Sequence, residues 1–291
     1  LDAGGGGTAT TWDTTTRKGR QMFRLAPAPH RAGGLFLAGG GKFLVVRANP
    51  PLVWDLKAGD EYARVSVGWP ASLDVRAMPG NDLQLIFVPD NRRSLVIWDI
   101  TTRKTVLVHD WWSGIAPLRS FDIAPDGRTA ALLDVLGLVA LFNLADRHEI
   151  SRFPCAYGTE RVRFSPNGNT LAVFNGKQLR LRDVPSRSDR AEEVTIQPHY
   201  GGFAFHPTAQ MFAAANPDRV LAFWSLETGQ PVRTIDFALA RYVQCMAFSP
   251  NGLKCAAGGM NKQFIVFDVN PETKPATALE ITPRPPTPRR L

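Results

Sequence analysis

A four-residue signature returns seven times along this chain at a nearly constant interval. It reads Thr11-Trp12-Asp13-Thr14, Val53-Trp54-Asp55-Leu56, Ile97-Trp98-Asp99-Ile100 and Leu141-Phe142-Asn143-Leu144 in the first half. It continues as Leu181-Arg182-Asp183-Val184, Phe223-Trp224-Ser225-Leu226 and Val266-Phe267-Asp268-Val269. The second residues of these copies are 42, 44, 44, 40, 42 and 43 positions apart. A period in the forties with an apolar-Trp-Asp-apolar beat marks stacked four-stranded β units, and argues against a conventional mixed domain.

A second beat runs in phase with the first. Ala124-Pro125-Asp126-Gly127, Ser165-Pro166-Asn167-Gly168 and Ser249-Pro250-Asn251-Gly252 read as tight turns between apolar strands. Proline presets φ, Asp or Asn tolerates left-handed geometry, and Gly supplies φ > 0. Weaker copies stand at Ala38-Gly39-Gly40-Gly41, Met78-Pro79-Gly80-Asn81 and His206-Pro207-Thr208-Ala209. Each of these turns precedes one of the last six markers. The segment from Gln178 to Val184 alternates for most of its length, so one of its faces is buried. Asn175-Gly176 ahead of it is a hairpin turn, and Glu193 to Ile196 reads as the fourth, outer strand. No window carries a helical period.

Complete units are expected over 33–68, 72–110, 117–154, 159–198, 200–238 and 241–281, with strands a to d in each. Residues 1–13 read as strand b, a turn and strand c of a further unit, and Gln21 to Leu25 as its strand d; strand a is missing. The 291 residues could hold two ordinary domains, but the repeat crosses both halves. One repeat domain over 1–281 is therefore expected, followed by a Pro/Arg-rich disordered tail over 282–291. Proline lacks the N–H that a sheet needs, so the tail stays extended.

Three cysteines, Cys155, Cys245 and Cys255, cannot all pair. Cys245 and Cys255 are expected to be buried small hydrophobes in a reducing compartment, with a disulfide between them the lesser alternative. No apolar run reaches the length of a membrane span, and no secretory signal opens the chain. Net charge is +8, which favours acidic partners. Lys and Arg are scattered, which weakens a nucleic-acid reading.

The units from Phe164 through Val184 and from Phe248 through Val269, with Trp224-Ser225-Leu226-Glu227-Thr228-Gly229, resemble WD repeats, and residues 1–281 resemble a WD-repeat β-propeller. The resemblance implies an all-β protein of seven blades, here with the first blade incomplete, and a role in protein–protein assembly. It does not imply an enzyme. The Gly-His pair that the family places ahead of strand a is absent from every unit. The buried Asp-His-Ser-Trp network is therefore expected to be unbuilt. A propeller closes by pairing its last blade with its first. The missing strand a thus leads to the expectation that the natural protein extends before Leu1 and that this is its C-terminal part.

Candidate chemistry is sparse. Asp13, Asp55, Asp99, Asp183 and Asp268 recur at one place in different units, so they cannot converge on one bond; they suit turn capping. The five histidines, His30, His109, His148, His199 and His206, lack metal-ligand spacing, and no cofactor motif is present. The residues entering strand a are more suggestive. Arg31, Arg119, Arg161, His199 and Arg241 share one topological place in five units and would ring one face near the central channel. Each could instead be solvated or paired with a neighbour such as Asp74, Asp122 or Glu160. Trp69, Trp111 and Trp112 lie on the loops from strand d to strand a of consecutive units, where exposed Trp beside Arg suits an interface. Packing between blades would be their other use.

The expected function is a non-catalytic, cytoplasmic scaffold presenting a basic, Trp-rimmed face to an acidic or phosphorylated peptide or protein. The alternatives are a propeller enzyme using the channel mouth, which needs convergent acids or a metal, and a nucleic-acid-binding module.

Overall fold

Strands in this chain form because apolar residues come in strand-length runs bounded by Pro, Asn, Asp and Gly. The computed structural model describes residues 8–12, 19–24, 35–46, 51–65, 75–89, 94–110, 116–155, 158–175, 178–185, 202–208, 210–215, 220–236, 243–259 and 264–269. All regular structure among them is β-strand.

β1 (Thr8–Trp12) and β2 (Gly19–Arg24) pair antiparallel as a two-stranded ribbon. The next sheet runs β3 (Leu35–Ala38), β4 (Phe43–Val46), β5 (Leu52–Asp55), β6 (Asp60–Arg64) in spatial order. It is followed by β7 (Val75–Met78), β8 (Asn81–Phe87), β9 (Ser94–Asp99), β10 (Lys104–Asp110), again in chain order. The third sheet is β11 (Leu118–Ile123), β12 (Thr129–Asp134), β13 (Leu138–Asn143), β14 (His148–Pro154). Three strands make the fourth: β15 (Arg161–Phe164), β16 (Thr170–Phe174) and β17 (Leu179–Asp183). The fifth is β18 (Phe203–Phe205), β19 (Met211–Ala215), β20 (Val220–Ser225), β21 (Pro231–Asp236). The last is β22 (Val243–Phe248), β23 (Lys254–Gly259), β24 (Phe264–Asp268).

Among the described residues there are thus six blades, where seven were expected. Between Thr8 and Arg24 the described residues form the β1–β2 ribbon, which is too small to be a blade. Four blades have four strands. The outer strands expected at 193–196 and near 278–281 lie outside the described residues, as does the tail over 282–291. The chain divides into two units, 1–164 and 165–291, each described by itself.

Middle strands read as unbroken apolar runs because both of their faces are covered. Side chains alternate across a strand, so neighbours in sequence serve different clusters. In the first unit, Leu85 and Phe87 of β8 join Phe43, Val45 and Trp98, while Ile86 and Val88 join Phe121, Leu132 and Leu95. In the second unit, Phe212 and Ala214 of β19 pack with Leu179 and Leu181, while Ala213 and Ala215 pack with Phe223, Cys255 and Phe267. The outer strands β6 and β14 are polar and largely exposed.

The three Pro-Asp/Asn-Gly turns adopt one geometry. Gly127, Gly168 and Gly252 have φ of 67°, 75° and 73°. Their N–H groups donate to Ala124, Ser165 and Ser249 carbonyls at 2.9, 2.9 and 2.8 Å. Gly252 has a second duty. The buried His206 ring stands against it: Nδ1 accepts from the Thr208 N–H at 3.2 Å, so Nε2 carries the proton and donates to the Gly252 carbonyl at 3.1 Å. The ring also meets Phe248 edge-on, 5.0 Å between centroids. A Cβ at position 252 would collide with the Cε1 and Nε2 edge of that ring. Elsewhere a left-handed turn position carries Arg103, with φ 56°, where stacking of its guanidinium 4.4 Å over the Tyr62 ring offsets the steric cost.

These contacts separate two otherwise similar substitutions. Gly41→Ala has open space around its new Cβ and φ of 88°, so it should cost about 1 kcal/mol from the left-handed backbone alone. Gly252→Ala must also displace His206 and should lower the thermal midpoint clearly more. Thermal unfolding of both variants, followed by circular dichroism, checks the order.

Candidate functional site

The inner strands β11 and β15 lie side by side in the first unit. The Val162 N–H reaches Ser120 Oγ at 3.5 Å, and the buried Phe164 N–H donates to Asp122 Oδ2 at 2.7 Å. Partner numbers rise together, so the two strands run parallel and their first residues share one end. That end carries Arg119 and Arg161, both exposed. Neither meets a carboxylate among the described residues. Asp122, one expected partner, is committed elsewhere. Its Oδ1 lies 3.4 Å from Arg76 Nε of β7. Arg76 also donates to the Phe121 carbonyl at 3.1 Å and sits 5.5 Å over the Phe121 ring. Asp122 therefore links the inner strands of three consecutive blades.

Of the expected basic ring, Arg119 and Arg161 stand near the starts of these two adjacent strands. Arg31, His199 and Arg241 lie outside the described residues, and so do Trp69, Trp111 and Trp112.

The same end of the third blade carries the turn between β12 and β13, because Leu118 pairs with Asp134 across the sheet. Asp134 is 1% exposed and gathers three backbone donors. Leu136 and Leu138 N–H groups reach its Oδ1 at 2.9 and 2.8 Å, and the Ala116 N–H reaches Oδ2 at 3.2 Å. The acid thus fastens the turn to the segment entering β11. Its sequence signal was an Asp just ahead of a Val-Leu-Gly turn, which suits Asx capping; it escapes a search keyed to the Trp-Asp marker.

The marker acids do turn work. Asp55 accepts from Lys57 and Ala58 N–H groups at 2.8 and 3.0 Å, and Asp99 from the Thr102 N–H at 2.8 Å. Asn143 and Ser225 do the same in their blades. Asp268 instead pairs with Lys254 Nζ at 2.8 Å. The indole N–H of Trp224 is buried without a hydrogen bond among the described residues, and its ring stacks on Phe212 at 6.3 Å.

Cysteine exposure differs from expectation for one residue. Cys255 is buried, and burial pushes its thiol up to about 12. Cys245 is exposed, on the inner strand β22 opposite Gly258, which has no side chain to cover it. All three cysteines are free. Among the described residues no group of three His, Cys, Asp or Glu is placed to hold a metal ion, and no helix is long and apolar enough to cross a membrane.

Six sheets, three of them with Trp at the marker of the third strand (Trp54, Trp98 and Trp224), and with β15 beside β11 in the first unit and β22 beside β18 in the second, are of the β-propeller class. The crystal structure of the β-propeller domain of Cps50 (Swd1) from Myceliophteria thermophila is similar, with a TM-score of 0.72, 18% identity and 91% of each chain covered. No protein-family profile matches the chain. Actin-interacting protein 1-2 of Arabidopsis thaliana is 26% identical over 140 residues, 46% of this chain and 22% of that protein. A BTB/POZ domain and WD-repeat protein of Acanthamoeba polyphaga mimivirus is 24% identical over 135 residues, 45% of this chain and 27% of that protein. The chain thus spans about a quarter of the length of these curated relatives. Together with the repeat and the blades, these likenesses support a WD-repeat β-propeller.

The turn carboxylates give the fold a pH dependence. The Ala58 N–H is the largest influence on Asp55; burial opposes it, and the Lys57 N–H with the Lys42 and Lys57 charges adds to it, leaving Asp55 below its ordinary 3.8. For Asp126, burial works upward and is outweighed by the Arg128 and Thr129 N–H groups, the Thr129 hydroxyl and the Arg128 charge, again to below 3.8. A lowered folded value means stability that is present above the unfolded value and is lost as pH falls through the folded one. Asp126→Asn should therefore lose less thermal midpoint than the parent chain between about pH 5 and about pH 3. Thermal unfolding across that range measures it.

Proposed function

We propose that the chain is a non-catalytic interaction scaffold that binds an acidic segment of a partner protein on the end of the blades where strand a begins. The observation that carries this is the adjacency of Arg119 and Arg161 on parallel inner strands, both exposed and neither meeting a described carboxylate. A guanidinium in this state keeps its donors for a ligand carboxylate, with bidentate geometry available. Short loops on stiff strands hold the pair in place, so little ordering cost attends binding. Arg31, His199 and Arg241 would extend the basic rim, and Trp69, Trp111 and Trp112 would supply apolar anchors beside it. Phosphorylated segments carry the same charge and would use the same guanidinium groups.

The repeat class supports a protein partner. The turn work of Asp55, Asp99 and Asp126 supports a non-catalytic role, because it occupies these acids in holding backbone. Scattered basic residues favour a protein over a nucleic acid. Three free thiols suit a reducing compartment, and we place the protein in the cytoplasm on that ground.

The test is a peptide array probed with the parent chain and with the Arg119→Glu/Arg161→Glu double variant. Acidic peptides should dominate the parent signal and fall about tenfold with the variant. Undiminished retention by a correctly folded variant would overturn the proposal. Oligonucleotide binding that declines steeply with salt would transfer the basic rim to nucleic acid.

A further inference from the structure

The turn between β12 and β13 places a leucine where turn chemistry gives no reason for one. Leu136 is 71% exposed at the tip of Asp134-Val135-Leu136-Gly137, a position that usually takes Gly, Asn, Asp or Ser. A lone exposed leucine is ordinary on a protein surface. This one differs in how firmly its backbone is held. Its own N–H is fixed to the buried Asp134 carboxylate at 2.9 Å, and the same carboxylate binds Ala116 and Leu138. The Val135 N–H donates to the Pro117 carbonyl at 3.0 Å, which seats the turn on the residues leading into β11. The leucine is therefore presented, at little entropic cost on contact, at the end of the blade that carries Arg119. The strand register puts Leu136 about 10 Å from the start of β11 near Arg119, roughly three residues of extended chain.

We propose that Leu136 is the apolar anchor of the acidic-peptide site, so that the preferred ligand is an extended segment with a pair of carboxylates followed about three residues later by a large apolar side chain. This rests on the basic-rim reading above and sharpens it. Arg119 and Arg161 take the carboxylates, one on each strand. Leu136 covers the apolar side chain, and the removal of both from water gives the selectivity that two exposed ion pairs alone would lack.

The test uses the full chain and three fluorescein-labelled peptides read by anisotropy. The first is Gly-Glu-Glu-Ser-Ser-Leu-Gly, the second replaces its leucine with serine, and the third replaces both glutamates with glutamine. The parent should bind the leucine peptide about tenfold more tightly than the serine peptide. Leu136→Ser should erase that preference and leave serine-peptide affinity unchanged, and Leu136→Met should keep it. Circular dichroism confirms that each variant folds. A preference near one in the parent, or one that survives Leu136→Ser, overturns the anchor; if Arg119→Gln/Arg161→Gln then still weakens both glutamate peptides, the basic rim stands without it. If the glutamine peptide binds as well as the glutamate peptides, the rim and the anchor fall together.

Discussion

Burial of both faces of the middle strands governs this molecule. An isolated sheet such as β7 to β10 would expose Leu85 and Phe87 on one side and Ile86 and Val88 on the other. At about 1.5–3 kcal/mol for each large apolar side chain, no single blade can tolerate that exposure. Neighbouring blades must therefore stack, and stacking leaves the inner strands side by side. The polar outer strands β6 and β14 follow from the same logic, since they stay largely exposed.

Once the inner strands are neighbours, polar groups along them must find partners. Asp122 solves this for three blades at once, accepting from Phe164 and pairing with Arg76 in a setting that is mostly out of water. With its carboxylate committed inside, Arg119 and Arg161 meet no carboxylate among the described residues at the end of the same strands. Asp134 plays a comparable part at the adjoining turn. Rim charges of this kind contribute little stability. In the proposed scaffold they steer a partner and select it by charge. Polar groups that hold the backbone and the polar groups of the proposed rim are thus different residues on the same strands.

Much of the architecture was legible in the primary structure because its signals are local. Ser165-Pro166-Asn167-Gly168 and its copies encode their own turn geometry, and the marker acids Asp55 and Asp99 sit two or three residues from the N–H groups they bind. The number of blades was overestimated because one Trp-Asp copy, around Trp12, belongs to a two-stranded ribbon; a marker reports a third strand and not its companions. Contacts between blades were not legible. Arg76 and Asp122 are 46 positions apart, and His206 and Gly252 likewise, so only folding reveals them. Cys245 was misjudged for a related reason: free cysteine is usually buried, but the residue across the sheet from this one is Gly258. In the proposed rim, Arg119 and Arg161 could be foreseen from their shared place before strand a. Leu136 could not, because exposure at a turn tip is invisible until the turn is built.

The central claim is that β11 and β15 run parallel and adjacent, held by Asp122, and so deliver Arg119 and Arg161 to one rim. Hydrogen exchange at single-amide resolution tests it most directly, comparing the parent with Asp122→Ala. The account predicts that exchange at Phe164 accelerates at least about tenfold, since its amide loses a charge-assisted bond, while Leu132 in the middle of the third blade stays protected. Unchanged exchange at Phe164 in a folded Asp122→Ala protein would contradict it.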